Sequence, residues 1–290
     1  MKITHIGRIC IGQDGAIWGD YLFRLDGDGR TAVYNLKEYN KVDPVYNLEK
    51  VCEFYLDRAS EIMPHSNAVM FGTEYYDEND EFPLLYTNIY NNYRNEQDPM
   101  LGTCCVYRLQ RDGNNFTTKL IQIIRIGFAE DEFWRSSIND LRPFGNFAID
   151  RDTGKYYGFV MREGTRNTRY FEFHLPKYYD GEIDEKTGVK TVVLKKEDVI
   201  KHFDCEFHRY IQGACCKYGR IFSTEGFNGY PDPPALRIIN VKTGEQEAYF
   251  DLVKYDMHIE PELIDFMGDT CYYADAYGDL CIIDFETKWN

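Results

Sequence analysis

The chain predicts an all-β fold and, within that class, a five-bladed β-propeller whose N-terminal strand closes the last blade. Three observations lead there. Residues 210–251 parse as four short strands separated by turns. Looser copies of that unit recur along the chain at a base period of about fifty residues. The final copy is one strand short, while a spare alternating strand stands at the N-terminus.

The defining unit reads from its punctuation. Residues 211–216 form an apolar run closed by Tyr218 and Gly219. Residues 220–225 are a second strand, ended by a Gly/Pro/Asn loop over 226–234. Residues 236–241 alternate large apolar with polar side chains, the period of a half-buried strand. Lys242, Thr243, Gly244 and Glu245 make a hairpin turn, with glycine where a positive φ is needed, and 246–252 return as the outer strand.

The other copies align on equivalent inner-strand positions at Ala16, Ala68, Phe147, Ala214 and Leu263, spaced by 52, 79, 67 and 49 residues. One domain of five blades follows, over 13–63, 64–128, 141–200, 208–255, and 258–290 with 1–10. In the first, a DGDGR turn joins 21–25 to 31–36. The second carries an acidic, aromatic insertion at 74–81 and a polar loop at 90–98. The third contains strands at 147–150, 156–162 and 169–175, then a long loop to a strand at 190–194 and a short helix over 195–202. The fifth supplies strands at 262–266, 271–274 and 280–285. Residues 2–9 are its missing outer strand, which ties the two ends of the ring together.

Composition agrees with this class and narrows the partners. The 290 residues are 43% hydrophobic, and 24 Tyr and 19 Phe favour packed sheets. A formal net charge of −15 argues against nucleic acid or an anionic membrane as partner. No apolar run is long enough to span a bilayer, and the N-terminus lacks the apolar core of a signal peptide. Cys104 with Cys105, and Cys215 with Cys216, are adjacent pairs inside strands, so their side chains point to opposite faces. Such thiols read as buried and reduced, which makes the expected location cytoplasmic.

Inner-strand entries line one mouth of a propeller's channel, and here they are polar. Gln13, His65, Asn67, Asn146, Gln212, Glu260 and Glu262 are the candidate ligand-binding residues, with Asp14 beside them. The expected ligand is a small polar molecule or a peptide end. Polar side chains also hydrate any propeller channel, so the pattern alone does not demand a ligand. A carboxylate pair from Asp14, Glu260 and Glu262 would suit glycoside cleavage, by analogy of fold alone. His65, His258 and Glu260 are a conceivable metal set, but histidines at strand entries are usually structural, and no metal or cofactor is expected. A further alternative is a protein-interaction scaffold. It would contact partners through loops 74–100 and 176–188 and an aromatic patch of Tyr75, Tyr76, Tyr90 and Tyr93.

The fourth unit also resembles the plant- and bacterial-type glutamine cyclotransferases, five-bladed propellers with a repeated signature near FTQGL, EST-G, SSLR and TG. The matching residues are Gln212, Gly213, Ser223, Thr224, Gly226, Leu236, Arg237, Thr243 and Gly244. The resemblance covers residues 210–275 and implies that Glu260, in His258-Ile259-Glu260-Pro261-Glu262, is the catalytic acid/base. The implied reaction is cyclisation of an N-terminal glutamine, with Gln212, Asn67 or Asn146 stabilising the oxyanion.

Overall fold

Strands that bury both faces must stack sheet on sheet, and the chain does this in a ring. The computed structural model describes residues 1–38, 47–89, 100, 102–128, 146–162, 167–206, 210–228, 231–287 and 289. Five sheets are built from them. The first blade is Gly15–Trp18, Tyr21–Leu25, Arg30–Asn35 and Lys50–Tyr55. The second is Val69–Phe71, Leu85–Ile89, Thr103–Asp112 and Asn115–Ile126, extended by two further strands. The third is Asn146–Asp150, Lys155–Arg162, Asn167–His174 and Lys201–Glu206. The fourth is Ile211–Lys217, Arg220–Glu225, Ala235–Asn240 and Gln246–Asp251. Pro261–Met267, Thr270–Asp275 and Asp279–Asp284 form the fifth, with Lys2–Arg8 as its outer strand.

The innermost strands touch in cyclic order, Gly15–Trp18 packing on both Val69–Phe71 and Pro261–Met267, so the ring is shut. Closure is antiparallel, from Lys2 opposite Asp284 to Arg8 opposite Asp279. The five-bladed propeller and its N-terminal closing strand are therefore as the sequence predicts.

The core lies between blades, and strand periodicity decides which neighbour each residue meets. In the first blade Ala16, Phe23 and Val33 pack against Val69, Phe71 and Leu85 of the second. Ile17, Leu22, Ala32 and Tyr34 turn the other way, onto Leu263, Tyr272 and Leu280 of the fifth. Phe23 meets Phe71, Phe82 and Phe116 edge-on, with ring centroids 5.4, 5.6 and 5.5 Å away. Adjacent cysteines divide likewise: Cys104 faces the core shared with the third blade and Cys105 the core shared with the first. All nine cysteines are free thiols, seven of them buried. Among the described residues no helix is long and apolar enough to cross a membrane.

One strand departs from the sequence reading. Lys190–Leu194, expected as a strand of the third blade, joins the second in parallel register with Asn115–Ile126, from Lys190 opposite Gln122 to Leu194 opposite Ile126. The cause is an exposed edge. Asn115–Ile126 runs for 12 residues, and an unpaired ladder of that length attracts a partner. The preceding loop is fastened to the second blade as well. Gln122 Nε2 donates to Lys177 O at 2.7 Å, and Lys177 Nζ meets Glu74 at 2.8 Å. The expected helix over 195–202 is only a 3-10 turn at Lys196–Asp198, after which Lys201–Glu206 completes the third blade.

Candidate functional site at the mouth of the central channel

The entry residues of the inner strands converge because each strand begins at the same end of the ring. Two of these entries are bulged. Register slips between Ile211 and Ala214 and between Pro261 and Leu263. A bulge releases a residue from the ladder and re-aims its side chain. Here it frees Gln212 and Glu262 to point toward neighbouring blades.

Gln212 is the hub. Its Oε1 accepts from Asn67 Nδ2 at 3.2 Å, and its Nε2 donates to Gly226 O at 3.1 Å and to the Glu260 carboxyl. Three blades are thus joined by one amide. Asn146 runs a parallel chain, accepting from Asn88 Nδ2 at 2.7 Å and donating to Ile211 O at 3.3 Å. Asp14 Oδ2 accepts the Val69 N–H at 2.8 Å, tying the first blade to the second.

Gly213 explains why the fourth blade opens as it does. A Cβ there would lie 2.2 Å from Glu262 O and 3.1 Å from Asp14 Oδ1, so only glycine lets the fifth blade approach. Thr224 Oγ1 holds the same residue, accepting from Gly213 N at 2.7 Å. Arg237 forms a bidentate pair with Glu225, at 2.7 and 3.0 Å. Of the residues carrying the family resemblance, Gly213, Thr224 and Arg237 thus have structural work in this chain.

Burial raises the carboxyls at the mouth above their usual values. Burial pushes Glu260 up to about 7. Glu262, fully buried beneath it, is raised well above the usual range by burial and then by the charge of Glu260. Burial also raises Asp14, against the backbone N–H groups of Gly15 and Val69 and the charge of Arg24. Arg24 is buried with them, donating from Nη2 to Gly12 O at 2.7 Å and Asp275 O at 2.8 Å. Burial lowers its own value, and Glu262 is the first of the acidic groups that oppose this. Asp14 Oδ1, Asn67 Oδ1, Glu262 Oε2 and two Arg24 nitrogens are buried without a hydrogen-bond partner.

Of the sequence candidates, Asn67, Gln212 and Glu260 are in direct contact, and Asn146 and Glu262 lie in the strands beside them. Gln13 is half-buried at the entry of the first blade, its N–H on Leu25 O at 2.8 Å. His65 lies beside the first-blade turn, where a Cβ on Gly27 would be 3.4 Å from its Nδ1. Burial lowers the His65 imidazole. His258 reaches Asp256 at 3.0 Å. Among the described residues no group of three or more His, Cys, Asp and Glu side chains is placed to hold a metal ion. Tyr90 and Tyr93 of the expected aromatic patch lie outside the described residues. Tyr76 packs on Tyr178, centroids 5.2 Å apart, so the insertions at 74–81 and 176–188 meet each other.

Sequence reasoning passed over Asn88, Arg24, Asp275 and Asn228, whose Oδ1 accepts the Glu260 N–H at 2.8 Å. For Arg24 a signal existed. An arginine inside the apolar strand Tyr21–Leu25 must find buried acceptors.

No model of a known protein family matches the chain, and no curated protein matches it. Solved structures resemble it in outline. Hydrazine synthase of Kuenenia stuttgartiensis aligns with 90% of this chain and 61% of its own, at 12% identity and a TM-score of 0.41. Sqt1 of Saccharomyces cerevisiae aligns with 90% and 54%, at 7% identity and 0.38. The chain thus spans less than two thirds of either protein's length. Glutaminyl cyclase of Myxococcus xanthus aligns with 98% of this chain and 96% of its own, at 9% identity and a TM-score of 0.48. Identities this low carry no activity across.

Proposed function

We propose that the chain binds a small polar ligand or a peptide end at the mouth formed by Asn67, Asn146, Gln212 and Glu260. The observation that carries this reading is the Asn67–Gln212–Glu260 relay, in which side chains from three blades are joined through the Gln212 amide and end at one carboxyl. The mouth is rich in acceptors: the Glu260 carboxyl, the Asn67 Oδ1 left without a donor, and Glu262 below. A ligand bearing N–H groups, such as an amine or a peptide N-terminus, complements it. Ionised Glu260 would pair with an ammonium group, and the amides would orient the adjoining peptide.

Titration calorimetry of the full chain with a glutaminyl peptide, free or N-acetylated, tests this. Binding of the free amine, lost on acetylation and weakened in Glu260→Gln, is the expected result. Equal affinity for both peptides, or no binding of either, would sink the reading.

A second reading is favoured by the Glu260 value of about 7, which suits proton transfer at neutral pH. The α-amine of an N-terminal glutamine would attack its side-chain amide carbon, forming the ring C–N bond. The tetrahedral oxyanion would accept a hydrogen bond from Asn67, whose Nδ2 has a second N–H beyond the one given to Gln212. Glu260 would take the proton shed by the attacking amine, and collapse would then break the bond to the amide nitrogen, which would leave as ammonia carrying that proton. Ammonia release from the free peptide, abolished in Glu260→Gln while binding persists, would establish the enzyme. Binding without ammonia release leaves the first reading standing alone.

A further inference from the structure

At the other end of the ring the inner strands run out at Trp18, Phe71, Asp150, Lys217 and Met267. Their exits enclose a second concavity of about 580 Å³, a volume typical of small-molecule sites. Every blade contributes to its wall: Trp18, Gly72, Arg151, Lys217, and Phe266 with Gly268.

The charge of this wall opposes that of the chain. The protein carries a net −15, yet the lining holds Arg151 and Lys217 and no carboxylate. Two neighbouring acids are already engaged. Asp265, 1% exposed below the floor, accepts from Ile17 N at 2.7 Å, Phe266 N at 2.8 Å and Arg151 Nη2 at 3.0 Å. Asp269 takes the Tyr218 hydroxyl. Arg151 is therefore fixed by one nitrogen, and its other N–H groups have no protein acceptor among the described residues. Lys217 has no ion-pair partner there either, its ammonium lying 5.0 Å from the Tyr218 ring.

Aromatic surface stands beside the charge. The Arg151 guanidinium lies 5.9 Å from the centre of the Trp18 ring, which leans on Phe71 at 5.8 Å. Phe266 faces it from the fifth blade. A guanidinium pre-set by a buried carboxylate loses little freedom when it takes an anion.

The geometry points to a second binding site here, for a small organic acid whose anionic group sits between Arg151 and Lys217 and whose flat body lies against Trp18 and Phe266. It is separate from the amide-lined mouth, which selects donors, whereas this one selects an acceptor. The two ends of the axis have opposite preferences.

Calorimetric titration of the full chain with naphthoate, and with neutral naphthamide as its isostere, tests the site. Saturable naphthoate binding is expected, with about tenfold weaker binding of the amide and about tenfold loss in Lys217→Ala, the scale of one charged hydrogen bond. The Lys217 ammonium has no ion-pair partner among the described residues, so that variant is expected to keep the fold, as its thermal melt would show. Added salt should weaken the acid alone. Equal binding of acid and amide, indifference to Lys217→Ala, or no saturable binding of naphthoate at millimolar concentration would each overturn the proposal. So would a loss of naphthoate binding in Glu260→Gln, because the probe would then occupy the opposite mouth.

Discussion

Gln212 and Glu260 stand at the entries of adjacent blades, and the amide nitrogen of the first donates to the carboxyl of the second. Both owe their positions to strand irregularity: a bulge frees Gln212, and Glu260 immediately precedes the bulged strand Pro261–Met267. The contact joins a neutral donor to an acid that titrates near neutrality, so its strength depends on pH.

Glu260 should leave a signature in the pH dependence of stability. Its folded value of about 7 lies above the ordinary 4.5. Below 4.5 the group is neutral in both states. As pH rises from there to 7 the unfolded chain releases the proton first, so stability falls, and the loss is complete above 7. Glu260→Gln keeps a neutral acceptor and should flatten this decline, melting higher than wild type on the alkaline side. A wild-type-to-variant difference in Tm that stays constant across the window would contradict the assignment.

Gly213→Ala should destabilise by about 1–3 kcal/mol, the scale of overpacking a well-filled core. The added methyl collides with backbone of the fifth blade, which cannot rotate aside as a side chain can. Urea unfolding checks this, and a midpoint equal to wild type would refute the close approach.

Arg237→Met should cost about 3–5 kcal/mol by leaving Glu225 buried without its cation. Arg237 and Glu225 side chains are 4% and 0% exposed. Pairing the change with Glu225→Leu should restore much of the loss. If the double variant is no more stable than Arg237→Met, the pair is not what the site requires.

Removal of residues 1–8 should leave Asp279–Asp284 as an open edge and take Ile6 from the core. Self-association through that edge is expected, visible in size-exclusion chromatography as higher-order species. A monomer as stable as the full chain would show that closure is dispensable.

Sequence pattern revealed the fold because hydrophobic alternation and turn residues are local, and each blade repeats them. The inner-strand alignment at Ala16, Ala68, Phe147, Ala214 and Leu263 needed nothing else. What stayed hidden is not local. The alternation of 190–194 says that it is a strand but not which edge it joins, and the free ladder of Asn115–Ile126 decided that. At the site, the polar entry residues were visible as a set. The bulges that choose which of them meet, and partners such as Asn88 and Asn228 from other strands and loops, depend on register and blade spacing.

The displaced strand Lys190–Leu194 lies in the chain between Asn167–His174 and Lys201–Glu206, both of which belong to the third blade. The polypeptide therefore leaves one blade unfinished, crosses to complete its neighbour, and comes back. This crossing stitches the second and third blades together, and neither is a self-contained module. Splitting the gene at that joint would divide the second, third and fifth sheets, while a cut between the third and fourth blades would divide only the fifth, at its closing strand. Duplication or loss of single blades, an easy route for propellers to change size, is closed at this point of the ring.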